Sequence, residues 1–228
     1  MKTDTYLHEQ LDDYIVKLLP APAVGGRPPL VIDLGCGEGA LSQRLHDRGF
    51  KVIAVDMEAR DFKATGPTFI EVNFNDPGAV EQFVAAHRGL ADLVLSVEVI
   101  EHVRNPWDFI ATCRALCGPA THLLVSTPNV SSWWSRFWFL LTGELWGFAP
   151  ESWHDPGHIN PIAEVEMRGI LRDSGFETEA VIAAGHLPVL WGYNWKRLLI
   201  SIAMLPWRLV MRGQKDGWVL CYHARLAR

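Results

Sequence analysis

Residues 31–39, VIDLGCGEG, constrain this chain more than any other segment. A short run with the composition of a buried strand leads directly into Gly35, Gly37 and Gly39, and a helical pattern follows over residues 40–48. Glycine in such a turn permits positive φ and lets a ligand press against bare backbone. A dinucleotide site calls for GxGxxG, with pyrophosphate on the helix N-terminus. Here the spacing is GxGxG, with Asp33 just before the loop and Glu38 inside it. Carboxylates at those positions repel phosphate and attract a cationic sulfonium and its ammonium group. One strand further on, KVIAVD ends in Asp56, where a carboxylate can accept both hydroxyls of a ribose.

The rest of the first half repeats this rhythm. A helix is predicted over residues 6–19, followed by a Pro/Gly-rich linker to Pro29. Strands are predicted at 30–34, 51–56, 68–72, 91–97 and 121–127, with helices at 40–48, 78–87 and 107–116, the last stopped by Gly118–Pro119. Such alternation means a parallel sheet covered on both faces. The second half departs from it. Residues 131–148 form a Trp-rich helical stretch, 161–173 a helix, 176–184 a strand and 217–226 a last strand. The long apolar and basic segment 186–212 separates these two strands, far more than a hairpin loop needs.

Composition narrows the function classes. With 49% apolar and 21% charged residues the chain can bury a sizeable core and is not a disordered protein. A net charge of −5 argues against broad nucleic-acid binding. Cys36, Cys113, Cys117 and Cys221 show no CxxC, and the first ten residues carry acids with no apolar h-region. Reduced thiols and a cytoplasmic location are the expectation.

VIDLGCGEG, then VIAVDME, then ADLVLSVEVIEHVRNP together resemble the class I S-adenosylmethionine-dependent methyltransferases. The resemblance spans about residues 30–127 and continues through GHINP and LRDSGF to about residue 176. It implies one Rossmann-like α/β domain over 1–228, with a seven-stranded, mostly parallel sheet, helices on both faces and an antiparallel last strand. Within it, 1–29 would be an N-terminal helix and linker, 30–127 the cofactor-binding core, 131–160 a lid-like insert and 186–213 an apolar, basic insert. Carried over residue by residue, Asp33, Gly35, Gly37 and Gly39 would surround the methionine portion of S-adenosylmethionine and Asp56 its ribose. Met57 would lie against the adenine, Asn73 near its edge, and Ser96 and Glu98 at the pocket. Asn73 departs from the acid common in the family. S-adenosylhomocysteine would be the product.

Glu98-Val-Ile-Glu101-His102, with His158 in the later HDPGHINP loop, is similar to two metal-dependent O-methyltransferase groups, the ubiquinone-biosynthesis enzymes and the small-RNA 2′-O-methyltransferases of the Hen type. That resemblance implies Glu98, Glu101, His102 and His158 as ligands of Mg²⁺ or Mn²⁺, which would lower the pKa of an acceptor hydroxyl. The residues alone equally allow a metal-free signature in which Glu101 and His102 cap a turn. His102 or His158 is then the general base, with His154 a spare.

Eight of the ten tryptophans fall between positions 133 and 207. Pro128–Asn129, the W…R…LLTG run and SWHDPGHI also resemble the methionine-biosynthesis W-type methyltransferase-like proteins, which leaves a cofactor-binding regulator open. In the class I fold, Trp133, Trp134, Phe137, Trp138 and Trp146 would form an acceptor wall or simply core. Residues 198–207 contain one polar residue, Ser201, and are flanked by Trp191, Trp195, Trp207, Lys196, Arg197, Arg208 and Arg212. Ten residues cannot span a bilayer. They suit a helix lying on the anionic inner face of a membrane, or a core or homodimer helix. The expected activity is methyl transfer to a hydroxyl of a hydrophobic or lipid-linked small molecule. An RNA or glycan hydroxyl is the alternative acceptor.

Overall fold

The computed structural model describes residues 5–19, 26–155 and 157–227. Most of the expected linker before Pro29 lies outside them. One seven-stranded sheet forms the centre of the molecule. Its strands are β1 (Leu30–Leu34), β2 (Lys51–Asp56), β3 (Thr68–Glu71), β4 (Ala91–Ser96), β5 (Cys117–Pro128), β6 (Phe176–Ala184) and β7 (Val219–Leu226). They lie in the order β3-β2-β1-β4-β5-β7-β6. All neighbours are parallel except β7, which runs antiparallel to both β5 and β6.

Two apolar layers seal the sheet. On one face α1 (Thr5–Leu18) and α2 (Ala40–Asp47) bury Leu11, Ile15, Leu41 and Leu45 against Val31, Val52, Leu93 and Leu124. On the other, α3 (Pro77–His87), α4 (Pro106–Leu116) and α6 (Glu164–Asp173) cover Ile32, Leu34, Ile53 and Val55 with Phe83, Ile110 and Ile170. The central strands are buried on both sides, which is why they read as unbroken apolar runs rather than alternating ones. A third, smaller cluster joins α5 (Trp133–Thr142) to α7 (Trp195–Val210) through Trp133, Trp134, Leu187 and Met204.

The structure moves several expected boundaries. α3 and α4 start at the prolines, because Asp76 and Asn105 accept the next free backbone N–H groups and proline suits the first helical position. Gly118–Pro119 does not break the chain before β5. Thr121 Oγ1 accepts from Gly118 N and donates to Ala91 O, so the strand continues straight out of α4. The Trp-rich stretch is helical only to Thr142, where Gly143 adopts a left-handed conformation. α6 begins at Glu164 rather than 161, and the chain leading to it is held by the Glu101 carbonyl, which accepts from Ile159 N and Asn160 N. Residues 186–194 are irregular ahead of α7.

Candidate active site

β1 and β4 are neighbours, but the chain leaves β1 toward β2 and β3 and leaves β4 toward β5. A crevice opens where the strand order reverses, at the carboxyl ends of these strands. The glycine turn sits there, pinned because Val55 O accepts from both Gly35 N and Cys36 N at 2.7 and 3.0 Å. Gly35 has φ +74°, and a Cβ on it would lie 2.2 Å from Val99 Cγ2. Only glycine fits. Asp56 accepts from Gly37 N through Oδ2 and from Met57 N through Oδ1, each at 2.7 Å. Each carboxylate oxygen keeps a second lone pair, enough for a pair of hydroxyls.

A groove of about 360 Å³ occupies this crevice, and Gly35, Gly37, Asp56, Met57, Asn73, Glu98 and His102 line it. Three residues expected to contact the cofactor are not among those lining the groove. Asp33 is buried and accepts the Ser42 hydroxyl at 2.6 Å, so it ties β1 to α2. Burial pushes its carboxyl up to about 6. Gly39 starts α2 against the Phe62 ring, and Ser96 is fully buried. Phe74, Asn75, Val99 and Val103 complete the groove, and sequence reasoning missed them. Asn75 had a local signal, because NFND after a strand reads as an Asx turn, and Asn73 Oδ1 does accept from Asn75 N.

The turn after β4 carries the second half of the site. Glu98 has φ +56°, the only positive φ outside glycine among the described residues. A bulky left-handed residue costs on the order of 1 kcal/mol and tends to mark function. Its N–H donates to Ser126 Oγ on β5, which holds the strained turn. Glu101 is completely buried, and neither carboxylate oxygen makes a hydrogen bond of ordinary geometry. Burial first, and the Glu98 charge second, raise its pKa well above the usual carboxylate range, while the nearby Thr127 hydroxyl opposes this. His102 Nε2 faces Glu101 Oε1 at 4.0 Å.

The histidines are oriented by main chain. His102 Nδ1 lies 3.1 Å from Gly157 O, and His158 Nδ1 lies 2.6 Å from Gly147 O. A carbonyl only accepts, so Nδ1 carries the proton in both rings and Nε2 is the lone-pair nitrogen of the neutral form. The rings meet edge to face with centroids 4.8 Å apart. One ligand atom each from Glu101, His102 and His158 falls within 4.8 Å of the others. An orphaned buried carboxylate beside two imidazoles fixed through Nδ1 is a donor set that fits a divalent cation. Glu98 is not part of that cluster, and His154 lines a separate hollow near Phe148 and Trp153.

A seven-stranded sheet in this order, with its glycine turn and strand-terminal acid at the switch point, defines a class I methyltransferase domain. A family model described as a methyltransferase domain matches residues 4–181, and the chain belongs to that family. Among curated proteins, the ubiquinone biosynthesis O-methyltransferase of Caulobacter sp. (strain K31) is 36% identical over 112 residues, 46% of this chain and 44% of the relative. The protein of that name from Aromatoleum aromaticum is 27% identical over 170 residues, covering 72% of this chain and 70% of the relative. The chain thus spans under half the length of the first relative. An Archaeoglobus fulgidus SAM-dependent methyltransferase structure aligns with TM-score 0.62 at 15% identity, over 96% of this chain and 94% of the other. Magnesium protoporphyrin IX methyltransferase from Synechocystis PCC 6803 with bound SAH aligns with TM-score 0.59 at 18% identity, over 96% and 84%.

Proposed function

We propose that this protein transfers the S-adenosylmethionine methyl group to a hydroxyl of a hydrophobic small molecule. The observation that carries the reading is the position of His102, which both lines the cofactor-sized groove and belongs to the Glu101–His158 cluster. Cofactor and acceptor would therefore meet at one wall. Asp56 holds the ribose, and the bare backbone at Gly35 and Gly37 receives the amino-acid end, with the strained turn at Glu98 beside it. The methyl carbon breaks from sulfur as it bonds to the acceptor oxygen in line, yielding S-adenosylhomocysteine, and positioning supplies much of the rate. Glu101, His102 and His158 would hold Mg²⁺ or Mn²⁺, which lowers the acceptor hydroxyl pKa and orients its oxygen. Without a metal, the imidazole Nε2 atoms, kept in one tautomer by the glycine carbonyls, would instead accept the departing proton.

The hydrophobic character of the acceptor rests on a chain of hollows. A 490 Å³ groove between α5 and α7 shares Phe139 and Leu145 with a second hollow of 470 Å³ that reaches Phe148. The Phe148 ring packs on His158 with centroids 5.3 Å apart. An apolar tail laid along these hollows would place its polar head at the histidines. The test is S-adenosylhomocysteine formation from S-adenosylmethionine and catechols of increasing chain length, with added Mn²⁺ or with chelator. Turnover that rises with tail length and falls at least tenfold with chelator is expected. Cofactor binding without turnover on any acceptor, including RNA and glycans, overturns the reading in favour of a regulator.

The outer face of the same hollows suits an anionic bilayer. Leu140, Leu141, Trp195, Trp207, Leu209 and Val210 are all more than 60% exposed. No helix among the described residues is long and apolar enough to cross a membrane, so the contact would be peripheral. The cationic rim is thinner than the sequence suggests. Arg208 is nearly buried and paired with Asp216, and Arg197 stacks on Trp191 at 4.2 Å. Lys196 and Arg212 remain at the ends of α7. Flotation with phosphatidylglycerol vesicles is expected for the chain and expected to fail for Leu199→Glu/Leu209→Glu. Equal flotation of both, or a dimer that the double variant converts to monomer, defeats the membrane assignment.

A further inference from the structure

On the α1 face of the sheet, away from the groove, the three edge strands converge on a second cluster. Leu124 of β5 pairs with His223 of β7 and His122 pairs with Arg225, so His122 and His223 are diagonal neighbours on one face. On the other side of β7, Thr178 pairs with Ala224 and Ala180 with His223. Glu179 is the extra residue of this bulge, and the bulge re-aims its side chain toward His223. His122 Nδ1 lies 2.8 Å from His223 Nε2, and Glu179 Oε2 lies 3.3 Å from the same nitrogen. His223 is only 3% exposed.

We propose that His122, Glu179 and His223 form a second divalent-metal site, distinct from the active-site cluster, that takes a Zn²⁺-class cation. One ligand atom from each already lies within 4.8 Å of the others. Two imidazoles and one carboxylate favour Zn²⁺ over the all-oxygen chemistry of Mg²⁺. Tetrahedral Zn²⁺ at about 2.0–2.1 Å separates its ligand atoms by about 3.3 Å. The Glu179–His223 spacing already matches, and the imidazole pair opens by a few tenths of an ångström when the metal replaces the proton they share. The outer partners are in place as well. Tyr14 Oη of α1 sits 3.1 Å from His223 Nδ1, where it accepts that proton and turns Nε2 toward the site. Arg225 approaches the other Glu179 oxygen, Oε1, at 3.9 Å and leaves Oε2 to the cluster. Burial also lowers the pKa of both histidines, which keeps them in the neutral, ligating form. A cation here clamps β5, β6 and β7 together and, through Tyr14, fastens α1 to the sheet edge. Water completes the fourth position.

The test uses untagged full-length protein carrying His102→Ala and His158→Ala, which disables the active-site cluster, with Zn²⁺ alone titrated against a chromophoric chelator. One equivalent of Zn²⁺ per chain is expected. Adding His122→Gln or Glu179→Gln should weaken binding at least tenfold and abolish the rise in Tm that Zn²⁺ gives the parent. Both side chains are partly exposed, and circular dichroism without metal verifies that each variant is folded. No Zn²⁺ retained by the parent, or retention unchanged by both substitutions, overturns the proposal. Neither result depends on methyl transfer, so the activity reading stands or falls separately.

Discussion

Glu101→Gln should lower methyl transfer by about 10²–10⁴-fold while making the metal-free protein more stable. The carboxyl is fully buried, lacks a well-formed hydrogen bond and shares its surroundings with Glu98. Its pKa is raised in the folded chain, so ionising it costs stability as pH rises through the folded value. That cost is absent below the unfolded carboxylate pKa. Glutamine keeps the shape and removes the charge. The variant's advantage should therefore be largest near pH 8, at about 1 kcal/mol or more, and shrink as pH falls toward 4.5. In a chain of this size that corresponds to a Tm gain of roughly 2–4 °C. Saturating Mn²⁺ should erase the difference by stabilising the wild type alone. Paired Tm and turnover measurements across pH decide it. A variant that turns over within threefold of wild type removes Glu101 from the machinery.

Gly35→Ala is the other large effect. The new Cβ would stand 2.2 Å from Val99 Cγ2 at φ +74°, and Val99 also lines the groove. Overpacking and left-handed strain together should cost about 2–4 kcal/mol. That lowers Tm by about 5–15 °C and displaces the groove wall, so S-adenosylhomocysteine affinity should fall more than tenfold. Gly37→Ala is the control. It also has positive φ, at +53°, but a Cβ there meets nothing within 4 Å. Its cost should be only the backbone strain, about 1 kcal/mol. Equal Tm losses in the two variants, read by calorimetry, would contradict the steric account.

The strands of the first half were legible because a doubly covered parallel strand is a short apolar run, and such runs at residues 30–34, 51–56 and 91–96 have few other readings. Asp56 was legible for a related reason, since it ends a strand at a fixed interval from the glycine turn. Other site residues were not. Asp33 sits in the same motif, yet the alternation of side chains along β1 turns it inward to Ser42, and nothing local announces that partner. The segment leading into α6 is held by the distant Glu101 carbonyl, and the left-handed Glu98 by Ser126 of another strand. The bulge at Glu179 leaves no mark in a run that reads FETEAVIAA. Contacts between segments far apart in the chain decided each of these, and periodicity carries no information about them.

The orientation of His102 and His158 rests on one stretch of chain. Their Nδ1 atoms are held by the carbonyls of Gly147 and Gly157, both in the segment between α5 and α6 that also lines the apolar hollows. On the proposed function, that segment also meets the acceptor's apolar tail. A graft of another relative's segment, chosen to change what is methylated, would also replace the groups that set imidazole tautomer and basicity. On the proposed function, acceptor choice and imidazole basicity rest on one stretch of chain, and a chimera that keeps only the sheet should change both.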